Sequence, residues 1–252
     1  MIYVTSDLHG CGVEILERLL EKADFGPEDY LFVLGDVIDR GAHGAELLLW
    51  LTQQPNMQLI LGNHEAMLMA CKFLFDEVTE ESLAYLTGEK LKVANNWFHN
   101  GGYVTMNGLA RLQREAPELL EGIWEYLNEA PLYEMLEAGG RKFLLVHSGL
   151  DNYEKGKPIE DYSVHDLLWA RPHSETKYEE DYIVIFGHTP TEFFGQQYKG
   201  RWCKGHRWVC IDTGAAMGGT PMLMRLEDGK SWYTSTEPTW TSSPPISSPE
   251  NN

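Results

Sequence analysis

Several short apolar runs in this 252-residue chain are each followed by polar side chains that can bind a metal ion. These side chains belong to Asp7, His9, Asp36, Asp39, Asn63, His64, His147 and His188. Carboxylate and amide oxygens together with imidazole nitrogens suit Mn, Fe or Zn better than they suit a structural zinc site of the Cys type. In open α/β sheets, ligands bind in the crevice beyond the carboxyl ends of the strands. The pattern therefore predicts a metal site in such a crevice.

Glycines accompany these polar residues, at Gly10, Gly35, Gly41, Gly62, Gly149 and Gly187, as tight turns from strand to loop require. Each polar residue alone has a structural explanation: Asp7 could cap a helix, Asn63 could occupy a turn, and His147 could be a hydrogen-bonded core histidine. So many carboxylates and imidazoles in one crevice would, however, be costly without a metal. The combination favours the metal site.

The elements that position these residues alternate between strands and helices in the first part of the chain. Apolar runs at residues 2–5, 31–34 and 58–61 predict strands. Apolar residues at helical spacing between residues 13 and 23, and the segment 45–51, predict helices between those strands. The opening is therefore expected to form a βαβαβ unit.

Strand signals fade between residue 66 and about residue 130. Apolar residues at helical spacing follow Pro117 there and predict one amphipathic helix; they are Leu119, Leu120, Ile123, Trp124 and Leu127. We therefore expect a helical insertion over about residues 66–130.

Strand signals return after the insertion. Residues 132–136 and 142–146 flank a Gly-Gly turn and predict a hairpin, and residues 182–186 predict a buried strand. The chain thus has both strand and helix signals, and the two strands of the predicted hairpin must be antiparallel. The predicted fold class is therefore α/β with mixed sheets.

The last strand signals lead into a polar tail. Runs at residues 208–211, 222–226 and 231–234 are expected to form an antiparallel meander. Residues 234–252 are rich in Ser, Thr and Pro and are too polar to bury much surface, so a disordered tail is predicted. The remaining chain, residues 1–233, is expected to form one domain.

The charge balance excludes some classes of partner. Lys and Arg number 20 against 38 Asp and Glu, which gives a net charge of −18 with neutral histidines. A chain this acidic repels phosphate backbones and anionic lipids, so no nucleic-acid or membrane partner is expected. No apolar run approaches the ~20 residues of a membrane span, and the first residues lack a signal-peptide pattern. The four cysteines form no CxxC pair and suit a reducing compartment better than a disulfide framework. The chain is therefore expected to be cytoplasmic.

Five short motifs follow one another in an order typical of one enzyme family. They are Ser6-Asp-Leu-His-Gly10, Gly35-Asp-Val-Ile-Asp-Arg-Gly41, Leu61-Gly-Asn-His-Glu65, His147-Ser-Gly149 and Gly187-His-Thr-Pro190. Over about residues 1–226, the chain resembles the calcineurin-like metallophosphoesterases. The motif forms are similar to the phosphoprotein phosphatase branch, especially bacteriophage-lambda-type phosphatases and symmetrical diadenosine tetraphosphatases. The resemblance implies two mixed β-sheets sandwiched between helices.

The resemblance also implies two divalent metal ions, Mn foremost, with Fe or Zn as alternatives. The ligands implied for the first ion are Asp7, His9 and Asp36; those implied for the second are Asp36, Asn63, His147 and His188. Many diesterases of the superfamily have a further histidine where this chain has Pro190, so the first ion is expected to keep more water ligands. A hydroxide that bridges the two ions would be the nucleophile.

Four further residues are implied in catalysis by the same resemblance. His64 would protonate the leaving oxygen, and Asp39 would hold its imidazole in the useful tautomer. Arg40 would bind phosphoryl oxygens through its planar guanidinium group. Arg171, in Leu168-Trp-Ala-Arg171, is similar to the second phosphate-binding arginine of the family.

The leading hypothesis is a serine/threonine protein phosphatase whose substrate is a phosphoprotein or a small phosphoester. A symmetrical dinucleoside tetraphosphatase is the alternative. It would use the same metal centre, so the metal ligands do not distinguish the two activities. A non-catalytic metal-binding scaffold is a third hypothesis, and the complete set of catalytic residues argues against it. Trp97, Trp124 and Trp169 could stack on a nucleobase, although core packing is favoured for all three.

Overall fold

The computed structural model describes residues 1–80 and 85–234, in which the strands form two five-stranded sheets. The strands are β1 (Ile2–Thr5), β2 (Tyr30–Val33), β3 (Met57–Leu59), β4 (Tyr133–Ala138), β5 (Arg141–Val146), β6 (Tyr182–Phe186), β7 (Cys203–Gly205), β8 (Trp208–Cys210), β9 (Met222–Arg225) and β10 (Ser231–Tyr233). The α-helices are α1 (Val13–Lys22), α2 (Gly44–Thr52), α3 (Asn63–Ala70), α4 (Gly88–His99), α5 (Gly102–Glu115), α6 (Pro117–Glu129) and α7 (Val164–Leu168).

The first sheet has the strand order β10-β9-β1-β2-β3. Strands β1, β2 and β3 are parallel, with Val4 opposite Phe32 and Phe32 opposite Gln58. Helices α1 and α2 connect these strands, so the predicted βαβαβ opening is confirmed. Strands β9 and β10 extend the sheet on the other side of β1 in antiparallel orientation.

The second sheet has the strand order β4-β5-β6-β8-β7, and its strands β5, β6 and β8 are parallel. The predicted hairpin is confirmed, with Ala138 paired to Arg141 across the turn between β4 and β5. The predicted meander is confirmed for β9 and β10, which form an antiparallel pair in the first sheet. It is wrong for β8, which lies in the second sheet, parallel to β6. A short apolar run such as β8 is compatible with a strand buried on both faces, which is typical of parallel sheets, and does not indicate which sheet it joins.

The two sheets pack face to face, because successive side chains of a strand point to opposite faces. Val4 packs with Phe143 and Ile185 between the sheets. Its neighbour Tyr3 faces the other way and packs with Leu16 of α1. Helices therefore cover the outer face of the first sheet, and the predicted α/β class with two mixed sheets and helices is confirmed.

The described chain between β3 and β4 is helical and has no strand. Helix α6 begins at Pro117, whose fixed φ and missing N–H suit a first helical position. It buries Leu120, Ile123 and Trp124 against the core. The junction of α4 and α5 lies on the loop that follows β2, where the Arg40 N–H donates to the Gly101 carbonyl oxygen at 3.2 Å. These helices therefore reach the polar residues at the strand ends.

The last strand, β10, ends at Tyr233. The tail predicted to be disordered, residues 234–252, lies outside the described residues from residue 235 onward. Within residues 1–80 and 85–234, no helix has the length and apolar character needed to cross a membrane.

Candidate metal centre

Six parallel strands of the two sheets each lead into a buried polar residue. Strands β1, β2 and β3 lead to Asp7, Asp36 and Asn63, and strands β5, β6 and β8 lead to His147, His188 and Asp212. Contacts join the two sets: His147 Nε2 lies 2.8 Å from Asn63 Oδ1, and the His188 N–H donates to Asp7. The carboxyl ends of both sheets therefore meet at one edge of the sandwich, as parallel strands allow.

The backbone at this edge adopts a conformation that is uncommon for residues other than glycine. Positive φ angles between 43° and 70° occur at Asp7, His9, Asp36, Asp39, Arg40 and His188. Such a residue costs of the order of 1–3 kcal/mol and persists only where the surrounding structure imposes it. The concentration of these angles at the strand ends is therefore a sign of a functional site. These residues lie in the loops that follow β1, β2 and β6.

Close backbone approach explains one of the predicted glycines. Gly35, between β2 and Asp36, has a φ of 78°. A Cβ atom there would lie 2.5 Å from Gly62 Cα and 2.7 Å from His147 Nδ1. Any larger residue would push apart the ends of three strands, so glycine allows the two sheets to bring their polar residues together.

Asp36 lies between two groups of imidazoles. Its Oδ2 is 3.6 Å from His9 Nε2 and 3.8 Å from His64 Nε2, and its Oδ1 is 3.4 Å from His147 Nε2. His147 Nε2 is in turn 3.2 Å from His188 Nδ1. The candidate ligand atoms within each group lie within 4.8 Å of one another. Because His64 of the first group is the predicted proton donor, His9 and Asp36 are the residues of that group available to a cation. A carboxylate shared by both groups can bridge two cations.

The donor set around His147 fits a cation. His147 Nδ1 donates to the Leu34 carbonyl oxygen at 2.7 Å, which leaves Nε2 with a free lone pair. That nitrogen and His188 Nδ1 each lie 2.8 Å from Asn63 Oδ1, itself an acceptor. If the Asn63 amide were rotated by 180°, its nitrogen could donate a hydrogen bond to each of the two imidazoles. In the orientation described, a cation would instead accept the lone pairs of the Asn63 oxygen and of both imidazole nitrogens. His188 Nε2 is also buried and lacks a hydrogen-bond partner within the described chain.

Burial keeps the histidines neutral, as metal ligands must be. It lowers the pKa of His9 to about 4 and that of His188 to about 2, and it lowers the pKa of His147. Burial acts in the opposite direction on Asp36, but the surrounding histidines, led by His147, hold the pKa of this carboxyl below its usual range. The centre therefore offers neutral nitrogen ligands and an ionised oxygen ligand near neutral pH.

Asp7 is buried beside the same centre but belongs to neither compact group. Its carboxylate accepts the His188 backbone N–H at 2.9 and 3.1 Å, and it accepts a hydrogen bond from Ser6 Oγ. Burial raises the pKa of Asp7, and the nearby Asp212 and Asp36 raise it further. A cation would reverse these shifts by supplying positive charge. The assignment of Asp7 as a ligand of the first ion stays a prediction.

His64 and Asp39 form the predicted pair. His64 Nδ1 donates to Asp39 Oδ2 at 2.7 Å, and both side chains are buried. Although burial lowers the pKa of His64, Asp36 and Asp39 outweigh it and raise the pKa overall. His64 Nε2 lies 3.3 Å from Arg40 Nη2. With Nδ1 bonded to Asp39, the raised pKa favours the imidazolium form of His64, whose second proton lies on Nε2.

A cavity of about 550 Å³ opens onto these residues. Four of the predicted ligands and the predicted proton donor line it, together with two arginines; these residues are His9, Asp36, Asn63, His188, His64, Arg40 and Arg171. Arg171 Nη1 donates to the His188 carbonyl oxygen at 3.0 Å, which holds the guanidinium group at the cavity wall. Both predicted arginines are therefore within one cavity with the candidate metal ligands.

The rest of the cavity wall is largely apolar, and its apolar residues include Trp169, Pro172, Phe193 and Met217. Phe193 and Met217 are 70% and 54% exposed, so they present apolar surface at the cavity. The core packing favoured for the three tryptophans is confirmed for Trp97 and Trp124. Trp169 packs against the same core while half-buried, and it also lines this cavity.

Asp212 is a site residue that the sequence analysis missed. It follows β8 closely, lines the cavity, and accepts the Gly214 N–H at 2.9 Å. Burial raises the pKa of Asp212 to about 7, and Asp36 contributes to the increase. A signal was present: an Asp followed two residues later by Gly214, directly after an apolar run, repeats the pattern of the other strand ends.

Glu65 is a second missed residue. Its buried carboxylate accepts the backbone N–H groups of Asp36 and Val37, both at 2.8 Å, and those of Gly62 at 3.1 Å and Ile38 at 3.3 Å. Glu65 thereby fastens the loop after β2 to the start of α3. Its position in the Leu61–Glu65 motif was a signal, but its partners lie up to 29 residues away in the chain.

The comparisons with known proteins agree with this geometry. Residues 1–211 match the family described as Calcineurin-like phosphoesterase. Serine/threonine-protein phosphatase 2 of Salmonella typhimurium is 28% identical over 229 residues, which cover 90% of this chain and 93% of that protein. A symmetrical bis(5'-nucleosyl)-tetraphosphatase of Actinobacillus pleuropneumoniae serotype 3 is 34% identical over 268 residues, which cover 90% and 95%. The solved structure of a candidate diadenosine tetraphosphatase covers 92% of this chain and 91% of its own, with a TM-score of 0.59 at 16% identity.

Two mixed sheets with candidate cation ligands at their shared carboxyl edge are the arrangement of an α/β protein that can bind metal ions. The match over residues 1–211 shows that the chain belongs to the calcineurin-like phosphoesterase family. It is therefore a hydrolase, and the hypothesis of a non-catalytic scaffold is not supported. The family depends on divalent metals, in keeping with the two groups of ligand atoms that share Asp36.

Proposed function

We propose that the chain is a serine/threonine protein phosphatase that hydrolyses phosphomonoesters with two divalent metal ions, Mn foremost. The observation that carries this proposal is the cavity. Among the described residues that line the cavity, the side chains with a permanent positive charge are those of Arg40 and Arg171. Candidate metal ligands lie in the same wall. Two guanidinium groups can hydrogen-bond the oxygens of one phosphoryl group while bound cations neutralise its charge. The other described lining residues, which include Trp169, Phe193 and Met217, add no further Lys or Arg side chain that could neutralise more phosphates.

The ligand set supports two cations that share one carboxylate. Asp7, His9 and Asp36 would bind one ion; the ligands of the other would be Asp36, Asn63, His147 and His188. When bound, the two ions would supply Lewis-acid activation of water and neutralise charge on the phosphoryl oxygens. A reducing, cytoplasmic setting is part of the proposal and fits the four free cysteines.

The side chains of the cavity supply the remaining steps. Arg40 and Arg171 orient the phosphoryl group through hydrogen bonds to its oxygens. His64, protonated on both ring nitrogens, donates its Nε2 proton to the leaving alcohol oxygen as the bond from phosphorus to that oxygen breaks. A water oxygen forms the new bond to phosphorus and releases one proton to solvent, from which His64 regains its own. Asp39 accepts the Nδ1 proton at 2.7 Å and so holds the imidazole with Nε2 available to the substrate.

A symmetrical dinucleoside tetraphosphatase is the second candidate. The relative with that name from Actinobacillus pleuropneumoniae is 34% identical to this chain, over 90% of it. The aromatic rings of the half-buried Trp169 and the exposed Phe193 line the cavity and support this candidate as well, because such rings can stack on a nucleobase.

The two candidates differ in kcat/KM for their substrates. One Mn-supplemented preparation should be assayed with a phosphoserine peptide and with diadenosine tetraphosphate. We expect the peptide to be preferred by about a hundredfold, which corresponds to about 2.7 kcal/mol of transition-state binding. A preference of the same size for the dinucleotide would refute the protein phosphatase and establish the second candidate.

A further inference from the structure

The carboxylate of Asp39 is enclosed by hydrogen-bond donors from the helical insertion. Trp97 Nε1 donates to Asp39 Oδ2 at 2.8 Å, and Thr105 Oγ donates to Asp39 Oδ1 at 2.6 Å. Asp39 and Trp97 are fully buried, and Thr105 is 1% exposed. Because water is excluded, these two side chains and His64 satisfy this carboxylate between them.

Thr105 holds the main chain of Asp39 as well as its side chain. The Asp39 N–H donates to Thr105 Oγ at 3.0 Å, while the same hydroxyl donates to the carboxylate. At the next residue, the Arg40 N–H donates to the Gly101 carbonyl oxygen. Gly101 has a φ of 100°, and a Cβ atom there would lie 2.8 Å from Arg40 Cγ. Hydrogen bonds from α5 and from the junction of α4 and α5 therefore hold the loop that contains Asp39 and Arg40.

We infer that Trp97 and Thr105 are positioning residues for the proton donor His64, and that the helical insertion serves the reaction through them. This inference rests on the proposed function, in which His64 protonates the leaving oxygen. A carboxylate with one partner can rotate, whereas one held at both oxygens fixes the plane and direction of the imidazole bonded to it. Fixing Nδ1 against Asp39 Oδ2 fixes the direction of Nε2 toward the substrate.

A purely structural role is the competing explanation, because Trp97 also packs in the core. Its ring stacks on Phe98 at a centroid distance of 5.5 Å, and Gly102 lies against it so closely that a Cβ atom would come within 2.4 Å. A role in packing alone would affect all substrates alike. A role in positioning a proton donor affects mainly those substrates whose leaving group needs a proton.

The test compares two substrates with Mn-loaded variants of the full chain. Phenyl phosphate has a poor leaving group that needs a proton, whereas 4-nitrophenyl phosphate has a good one. Trp97→Phe removes the indole donor, and Thr105→Val removes the hydroxyl at constant volume. We expect each to lower kcat on phenyl phosphate by about 10- to 100-fold, with a much smaller loss on 4-nitrophenyl phosphate and little change in KM. Thr105→Ser, which keeps the hydroxyl, should retain most of the activity on both.

Trp124→Phe is the matched control. Trp124 is a buried tryptophan of the same insertion that packs against Phe75, with ring centroids 5.4 Å apart, and Trp124 does not line the cavity. It should show no difference between the two substrates. Equal losses on both substrates in Trp97→Phe and Thr105→Val would overturn the inference, and so would a failure of Thr105→Ser to restore the activity that Thr105→Val loses. Thr105→Val decides the question by itself if Trp97→Phe does not fold.

His64→Asn separates this inference from the proposed function. If His64→Asn loses far more activity on phenyl phosphate than on 4-nitrophenyl phosphate while the insertion variants do not, the inference alone is wrong. If His64→Asn loses both activities equally, the assignment of His64 as proton donor is wrong, and the inference falls with it.

Discussion

Replacing Glu65 by Gln should loosen the loop after β2 without changing the size of the side chain. The carboxylate of Glu65 accepts four backbone N–H groups, and Oε2 alone accepts those of Asp36 at 2.8 Å and Gly62 at 3.1 Å. Glutamine has one carbonyl oxygen and one NH₂ group. If its oxygen keeps the bonds to Val37 and Ile38, the NH₂ group faces two other N–H donors.

The energetic cost follows from those two lost bonds. A buried N–H left without an acceptor costs about 1–3 kcal/mol, so the pair costs about 2–6 kcal/mol of unfolding free energy. The effect should be measured at pH 8, because burial, with Asp36 contributing, raises the pKa of Glu65 to about 7. Above that pH the parent carboxylate is ionised and accepts at both oxygens. In a domain of this size, each kcal/mol shifts the melting temperature by about 2–4 °C.

Calorimetry of the chelator-treated protein measures this cost directly. We expect the Tm of Glu65→Gln to fall by at least about 4 °C. Because Asp36 loses its N–H partner, the Mn-loaded variant should also lose about 10- to 100-fold in kcat/KM or in metal affinity. Glu125→Gln is the matched control, since Glu125 is exposed on α6 and should change the unfolding free energy by less than about 0.5 kcal/mol.

A Glu65→Gln protein as stable as Glu125→Gln would refute the argument that the carboxylate satisfies these N–H groups. A protein that is less stable but keeps full activity and metal content would show that the loop holds Asp36 without Glu65. The two readouts therefore test the folding role and the role at the metal centre separately.

Three further predictions concern the metal centre. Asp36→Asn should abolish activity and weaken both ions, because one carboxylate is shared; unchanged metal content in elemental analysis would contradict this. His64→Asn should keep its metals but lose about 10²–10⁴ in kcat on phenyl phosphate, and an equal loss on 4-nitrophenyl phosphate would exclude a proton donor. Burial raises the pKa of Asp212 to about 7 in the fold, compared with about 3.9 in the unfolded chain. The protonated carboxyl therefore stabilises the fold fully below about pH 3.9, and this stabilisation is lost as the pH rises through about 7. Metal-free Asp212→Asn should therefore gain about 4 kcal/mol relative to the parent between pH 4 and pH 8, and a difference independent of pH in urea unfolding would disprove that shift.

The sequence alone predicted the strand ends that carry the chemistry. Apolar runs such as Ile2–Thr5 and Tyr182–Phe186 are local signals, and strands β1 and β6 begin and end at those residues. Because parallel strands end at the same edge of a sheet, the order of strands and polar residues was enough to bring Asp36 and His188 to one crevice. The motifs then supplied the family, which the match over residues 1–211 confirms.

Only the tertiary structure decided which sheet each late strand joins and what surrounds Asp39. Strand β8 pairs with β6, not with β9, because pairing depends on contacts between segments far apart in the chain. Trp97 and Thr105 lie 58 and 66 residues from Asp39, and their bonds to it depend on how two helices pack over a loop. Helical periodicity specifies the buried face of such helices but not the partner of each polar atom on that face, because that partner is set by the relative orientation of the packed elements.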